Sequence, residues 1–153
     1  MDRVNIHATC IAIGKAGILL LGESGAGKSD LALRLIDGGA RLVADDRTEL
    51  YVARGGLCAR APSAIAGLIE VRGLGVIAVP FRASIAVALV ARLGAAPERL
   101  PEPAFYVPPP PLAPARPVPQ ITLDAHAPSA PARIRLALTA FAKGLFREDF
   151  NPT

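Results

Sequence analysis

Gly22-Glu23-Ser24-Gly25-Ala26-Gly27-Lys28-Ser29 is the stretch that decides the fold. It matches G-x-x-x-x-G-K-[ST], the pattern of a phosphate-binding loop. The apolar run Gly17-Ile-Leu-Leu-Leu21 precedes it, and Ser29-Asp-Leu-Ala-Leu-Arg-Leu-Ile36, with helical character, follows it. Strand, glycine-rich turn and helix in that order give the pattern its use. The glycines let successive backbone N–H groups turn inward around an anion, and the helix N-terminus adds its partial positive charge. Lys28 then reaches the β- and γ-phosphates of a nucleoside triphosphate, and the Ser29 hydroxyl binds Mg²⁺. A glycine-rich turn that binds nothing needs neither the Lys-Ser pair nor the flanking strand and helix. The loop reads as a nucleotide site.

The chain has 153 residues, enough for one domain with a sizeable core, and residues 1–153 are read as a single domain. Hydrophobic residues make up 52%, much of it alanine, and no apolar run approaches the ~18 residues of a membrane span. The start, Met1-Asp-Arg-Val-Asn-Ile-His7, lacks a basic stretch followed by an apolar one, so no export signal is expected. Cys10 and Cys58 sit among apolar or small residues and read more simply as two buried free thiols of a cytoplasmic protein than as a disulfide. The net charge is +4, but the basic residues are scattered, with no interleaved aromatic side chains and no tryptophan. Neither a nucleic acid nor a membrane is expected as partner.

Ile6–Ile13 and Gly17–Leu21 read as the two strands of a hairpin. A helix is expected from Lys28 to Asp37, with Leu31, Leu35 and Ile36 on one face and a stop at Gly38-Gly39. A short buried strand, Arg41–Ala44, then ends in Asp45-Asp46. Further strands are expected at Thr48–Ala53, Leu57–Arg60, Ile69–Arg72, Val76–Val79, Ile85–Ala91 and Gln120–Ala125. Residues 97–119 hold ten of the fifteen prolines, which excludes a helix or a central strand and predicts an extended connector. A C-terminal helix from Ala130 to Leu145 carries Ile134, Leu138, Phe141 and Leu145 as its core stripe.

Three clusters gather around the loop. The strands flanking the first helix form a β-α-β unit with parallel strands, whose carboxyl ends share the edge where ligands bind. Asp45 and Asp46 therefore arrive beside Lys28, where one carboxylate can take a hydroxyl proton and the other can hold metal-bound water. A hairpin turn at Lys15-Ala16 would pair Ile13 with Ile18 and Cys10 with Leu21, and set His7 level with Ser24. An imidazole there can bond a phosphate or orient the acids; a solvated strand-edge histidine is the plainer alternative. In Glu70-Val-Arg-Gly-Leu-Gly75, Glu70 and Arg72 share one strand face. Glu70 is a candidate Mg²⁺ ligand and Arg72 a candidate for phosphoryl charge, against the alternative of a surface ion pair.

Taken together, His7, the loop Gly22–Ser29, Arg41-Leu-Val-Ala-Asp-Asp46 and Leu68-Ile-Glu-Val-Arg-Gly-Leu-Gly-Val-Ile77 resemble, in order, the catalytic domain of the HPr kinase/phosphorylase family. These are bacterial protein-serine kinases of the sugar-transport phosphorelay. The resemblance implies an α/β phosphate-loop kinase domain related to phosphoenolpyruvate carboxykinase, a mixed β-sheet with flanking helices. It implies ATP and Mg²⁺ as cofactors, an HPr-like phosphocarrier as substrate, and homo-oligomers, typically hexamers. By matched position it implies Asp45 as the acid/base, His7 and Lys28 as active-site partners, and Ser29 and Glu70 as Mg²⁺ ligands. The chain resembles the family's short form, without an N-terminal domain. After Gly75 the family carries a catalytic arginine on a longer segment; here Arg82 in Pro80-Phe-Arg-Ala-Ser84 is the candidate. Beyond the Gln120–Leu123 strand the family has a proline- and arginine-rich motif linked to phosphorolysis, where this chain has Asp124-Ala-His-Ala-Pro-Ser-Ala130. The expected function is ATP-dependent phosphorylation of a serine on HPr or a similar carrier, with phosphorolysis in doubt. A small-molecule kinase and a nucleotide-sensing module without turnover are the alternatives.

Overall fold

The computed structural model describes residues 2–147. Its first strand, β1 (Arg3–Ile13), is long enough to serve two sheets. Residues 3–7 pair antiparallel with β4 (Arg47–Ala53), while residues 8–13 pair antiparallel with β2 (Ala16–Leu21). β4 continues antiparallel into β5 (Gly56–Arg60), and β5 into the start of β8 (Ser84–Leu93). β8 then runs parallel to β2, so that β1, β4, β5, β8 and β2 close a ring. Beyond β8 the sheet extends through β10 (Val118–Leu123), parallel to β8, and β9 (Ala104–Tyr106) at the edge.

Side-chain alternation along these strands supplies two cores. One lies inside the ring, where Ala8, Cys10, Leu19, Leu50, Leu57, Val87 and Val90 meet. The other lies under the helices α1 (Lys28–Asp37) and α2 (Ala130–Lys143), where Ile11, Ile18, Leu20, Leu31, Leu35, Leu89 and Ile134 meet. Each fully buried aliphatic side chain of this kind contributes about 1.5–3 kcal/mol. β3 (Arg41–Ala44) pairs antiparallel with β1. A separate hairpin, β6 (Leu68–Val71) and β7 (Gly75–Ala78), leans on α1 and β3. No helix among the described residues is long and apolar enough to cross a membrane.

Several expectations need correction. The hairpin turn is Gly14-Lys15, one residue earlier than expected, so Ile11 faces Ile18 and Cys10 faces Leu19. Gly14 has φ 58°, the positive value that the first central position of a type II′ turn demands and a glycine supplies. His7 is thereby level with the start of the loop instead of Ser24, and its paired neighbour is Arg47. β2 and β3 run in the same direction but do not pair, because β1 lies between them, antiparallel to both. The proline-rich connector contains a short edge strand, β9, that is free of proline, and β10, an interior strand, begins within it at Val118-Pro119. Pro119 is tolerated because there β10 pairs with β9 alone, the ladder to β8 starting only at Gln120. The stripe on α2 is buried only in part: Ile134 is in the core, whereas Phe141 is exposed and packs on Phe146, ring centroids 4.7 Å apart. α2 stops at Gly144, left-handed at φ 62°, so Leu145 lies outside it. Both cysteines are free; Cys10 is buried, which pushes its thiol pKa up, but Cys58 is only half-buried.

Candidate active site

The phosphate loop leaves β2 at Gly22 and closes at the first residue of α1. A Cβ on Gly22 would come within 2.9 Å of Ala26 Cβ and 3.3 Å of the Leu93 carbonyl oxygen, so the loop can lie this close to the end of β8 only with glycine. Gly25 and Gly27 have φ of 86° and 96°, the left-handed region that opens the chain around an anion. Lys28 is 6% exposed and folds back over the loop, donating to the carbonyls of Gly22 at 2.6 Å and Glu23 at 3.1 Å. Burial lowers its pKa, and the charges of Asp46 and Asp45 act in the opposite sense.

The two aspartates at the end of β3 differ in kind. Asp45, 8% exposed, accepts from Ser29 Oγ at 2.7 Å, from Thr9 Oγ1 at 3.3 Å and from the Glu70 backbone N–H at 3.0 Å. Its oxygens are committed to holding β1, α1 and β6 together. Asp46 turns out of the strand with φ 65°, its side chain 60% exposed. Asp46 Oδ1 stands 2.8 Å from His7 Nε2, an ion pair when the imidazole is protonated. The contact is not aligned as a hydrogen bond, and Nε2, itself shielded from solvent, has no aligned partner among the described residues.

Thr9 was not foreseen, although it lies two residues beyond His7 on the same strand face. Fully buried, it donates to Asp45 while accepting from the Asp46 backbone N–H at 3.1 Å, which sets the angle between the two acids. An open cleft of about 1350 Å³ lies before the loop, lined by His7, Gly22 to Ala26, Arg92, Tyr106 and Pro108 to Pro110. Arg92 and Tyr106 carried no signal in the sequence: one is a lone arginine ending an apolar strand, the other a lone tyrosine among prolines. Burial raises the Tyr106 pKa and the Arg92 charge opposes it.

The other expected residues divide. The Glu70 side chain is exposed, beside Asp45 through its own backbone bond, and Arg72 is exposed at the β6–β7 turn. Arg82 does not join them. Its guanidinium donates to the Gly14 carbonyl at 3.0 Å, at the tip of the β1–β2 hairpin. The loop lies at the other end of β2, a full strand length away.

Compared with known proteins, residues 1–84 match the family model of the HPr serine kinase C-terminal domain. The HPr kinase/phosphorylase of Clostridium tetani is 47% identical over 78 residues, 51% of this chain and 26% of that protein. That of Levilactobacillus brevis is 40% identical over 77 residues, 50% of this chain and 25% of that protein. The chain thus matches about a quarter of the length of these relatives. The solved HPr(Ser) kinase/phosphatase from Coxiella burnetii superposes with a TM-score of 0.76 at 26% identity, over 93% of this chain and 98% of that one. The mixed sheet and flanking helices described above are those of that kinase fold.

Proposed function

The chain belongs to the HPr serine kinase C-terminal domain family, and from that premise we propose that it moves the terminal phosphoryl group of ATP to a serine of an HPr-like carrier protein. The observation that carries the reading is the placing of Ser29, Asp45, Asp46 and His7 at one end of the phosphate loop, with His7 on the wall of the open cleft before that loop. An open cleft admits a loop of a protein substrate, whereas a small-molecule kinase calls for an enclosed pocket. In the transfer the serine oxygen bonds to the terminal phosphorus, the bond to the bridging oxygen breaks, and ADP leaves. The hydroxyl proton goes to a carboxylate. Asp46 suits that task better than Asp45, the acid expected from the family resemblance. Its side chain is exposed and stands against His7, which lines the cleft, while Asp45 is buried under three donors. His7, with Nε2 2.8 Å from Asp46 Oδ1, orients Asp46. Lys28 lies where it can turn from the Gly22 and Glu23 carbonyls to the phosphates.

Ser29 Oγ and the exposed carboxylate of Glu70, which meet at Asp45, fit Mg²⁺, a hard cation that takes one or two protein oxygens and completes its shell with phosphate and water. When bound, the ion neutralises charge on the transferring group. Glu70→Gln should therefore raise the Mg²⁺ concentration needed for half-maximal activity several-fold, on the order expected for loss of a ligand charge. An unchanged Mg²⁺ titration would make Glu70 a structural acid. Exposed Leu74, Val76 and Ile77 on the β6–β7 hairpin support self-association, and we assign the protein to homo-oligomers in the cytoplasm, hexamers by family resemblance.

Reversal by inorganic phosphate needs further cations to hold that anion in line with phosphoserine. The connection after β10 brings a histidine, not a guanidinium, to the loop, and Arg133 on α2 is engaged by Ser129 Oγ at 2.8 Å. Phosphoserine loss at millimolar phosphate should be much slower than the forward reaction. Comparable rates would turn attention to Arg92. The kinase reading itself is tested with labelled ATP, Mg²⁺ and the HPr-like carrier of the same cell. Label is expected on serine; ATP binding without transfer would leave a nucleotide-sensing module.

A further inference from the structure

The connection between β10 and α2 lays a histidine on the phosphate loop. A Cβ at Gly27 would meet His126 Cε1 at 3.3 Å, His126 Nε2 at 3.8 Å and Ala125 Cβ at 3.1 Å. The edge of the imidazole therefore rests against the loop backbone one residue before Lys28. The backbone that carries it is firmly held. Arg34 of α1 donates to the carbonyls of Ala125 and Ala127, and Asp124 accepts from the His126 N–H at 2.9 Å. Ala125 is buried, yet the His126 side chain stays exposed and makes no hydrogen bond to the described residues. A residue fixed in backbone and free in side chain, at a loop built for phosphate, is poised for a ligand.

The strand order says which part of that ligand. Asp45, Asp46 and His7 lie on the β1 and β3 side of the loop, while β10 lies on the opposite side, beyond β8. Ligands in open sheets of this kind run across the carboxyl ends of the strands. A nucleotide with its terminal phosphoryl at Asp46 and its phosphates in the loop extends towards β10. We propose that His126 is a nucleotide-binding residue that packs its imidazole against the nucleoside end of ATP and contributes to the preference for a nucleotide over bare polyphosphate. The proposal rests on the ATP reading above but not on the identity of the phosphate acceptor.

The test is to titrate ATP and inorganic tripolyphosphate, each with Mg²⁺, into the wild-type protein and His126→Ala by calorimetry. Stacking on an aromatic side chain typically changes affinity by about 10-fold or more per base. His126→Ala should weaken ATP by about that factor and leave tripolyphosphate unchanged. Equal losses for both ligands, no loss for ATP, or a wild type that binds tripolyphosphate as tightly as ATP would each overturn the proposal. A nucleoside-selective loss in a protein that phosphorylates no carrier would retain His126 and remove the kinase reading instead.

Discussion

Asp46→Asn is expected to lower serine phosphorylation by about 10²–10⁴-fold, the usual contribution of a general base, with ATP affinity little changed. The amide keeps the shape and exposure of the side chain but cannot accept the serine proton. Asp45→Asn should fail differently. The amide nitrogen must face either the Glu70 N–H, which cannot accept, or the Ser29 and Thr9 hydroxyls, which must then turn to accept and leave their own O–H groups without this partner. An unsatisfied buried group of that kind costs about 1–3 kcal/mol, so this variant should melt earlier and need more Mg²⁺. Single-turnover transfer, calorimetry and thermal melts on both variants separate the roles. Wild-type transfer by Asp46→Asn, with transfer abolished in a well-folded Asp45→Asn, would return the base to Asp45.

Lys28→Met should weaken ATP binding by about 10²-fold or more, since each hydrogen bond to a charged group contributes about 1.5–3 kcal/mol and the ammonium can offer the phosphates more than one. The fold should not suffer. Burial holds the Lys28 pKa below its ordinary value, against the pull of Asp46 and Asp45. A lysine lowered in this way contributes stability above its unfolded pKa of about 10.4 and loses it as pH falls through the folded value. At neutral pH the buried ammonium works against folding, so the ligand-free variant should melt no lower than wild type. Calorimetry with ATP and a thermal melt without ligand decide both halves. Unchanged ATP affinity would remove the basis of the nucleotide reading.

Local chemistry was legible from the residues alone. The phosphate loop, α1 from Lys28 to Asp37 and β3 from Arg41 to Ala44 follow from spacing, glycine and apolar period, which act over a few residues. So does the meeting of Ser29 with Asp45, because β2 and β3 run in one direction whether or not they pair. Register was less secure. A two-residue hairpin can turn at Gly14-Lys15 or at Lys15-Ala16, and the glycine conformation chooses between them.

What tertiary structure alone decided is which side chains face the loop across long chain separations. The ring closed by β1, β4, β5, β8 and β2 carries Arg82 to the hairpin tip and Arg92 to the cleft, though one just precedes β8 and the other lies at its end. It buries Asp45 and exposes its neighbour Asp46, a difference made by Thr9, Ser29 and Glu70 arriving from three other elements. It also lays His126 on Gly27, 99 positions apart in the numbering. Residue type and spacing determine what a segment can bind. Which segments meet depends on strand order and closure, and these arise from packing two cores at once.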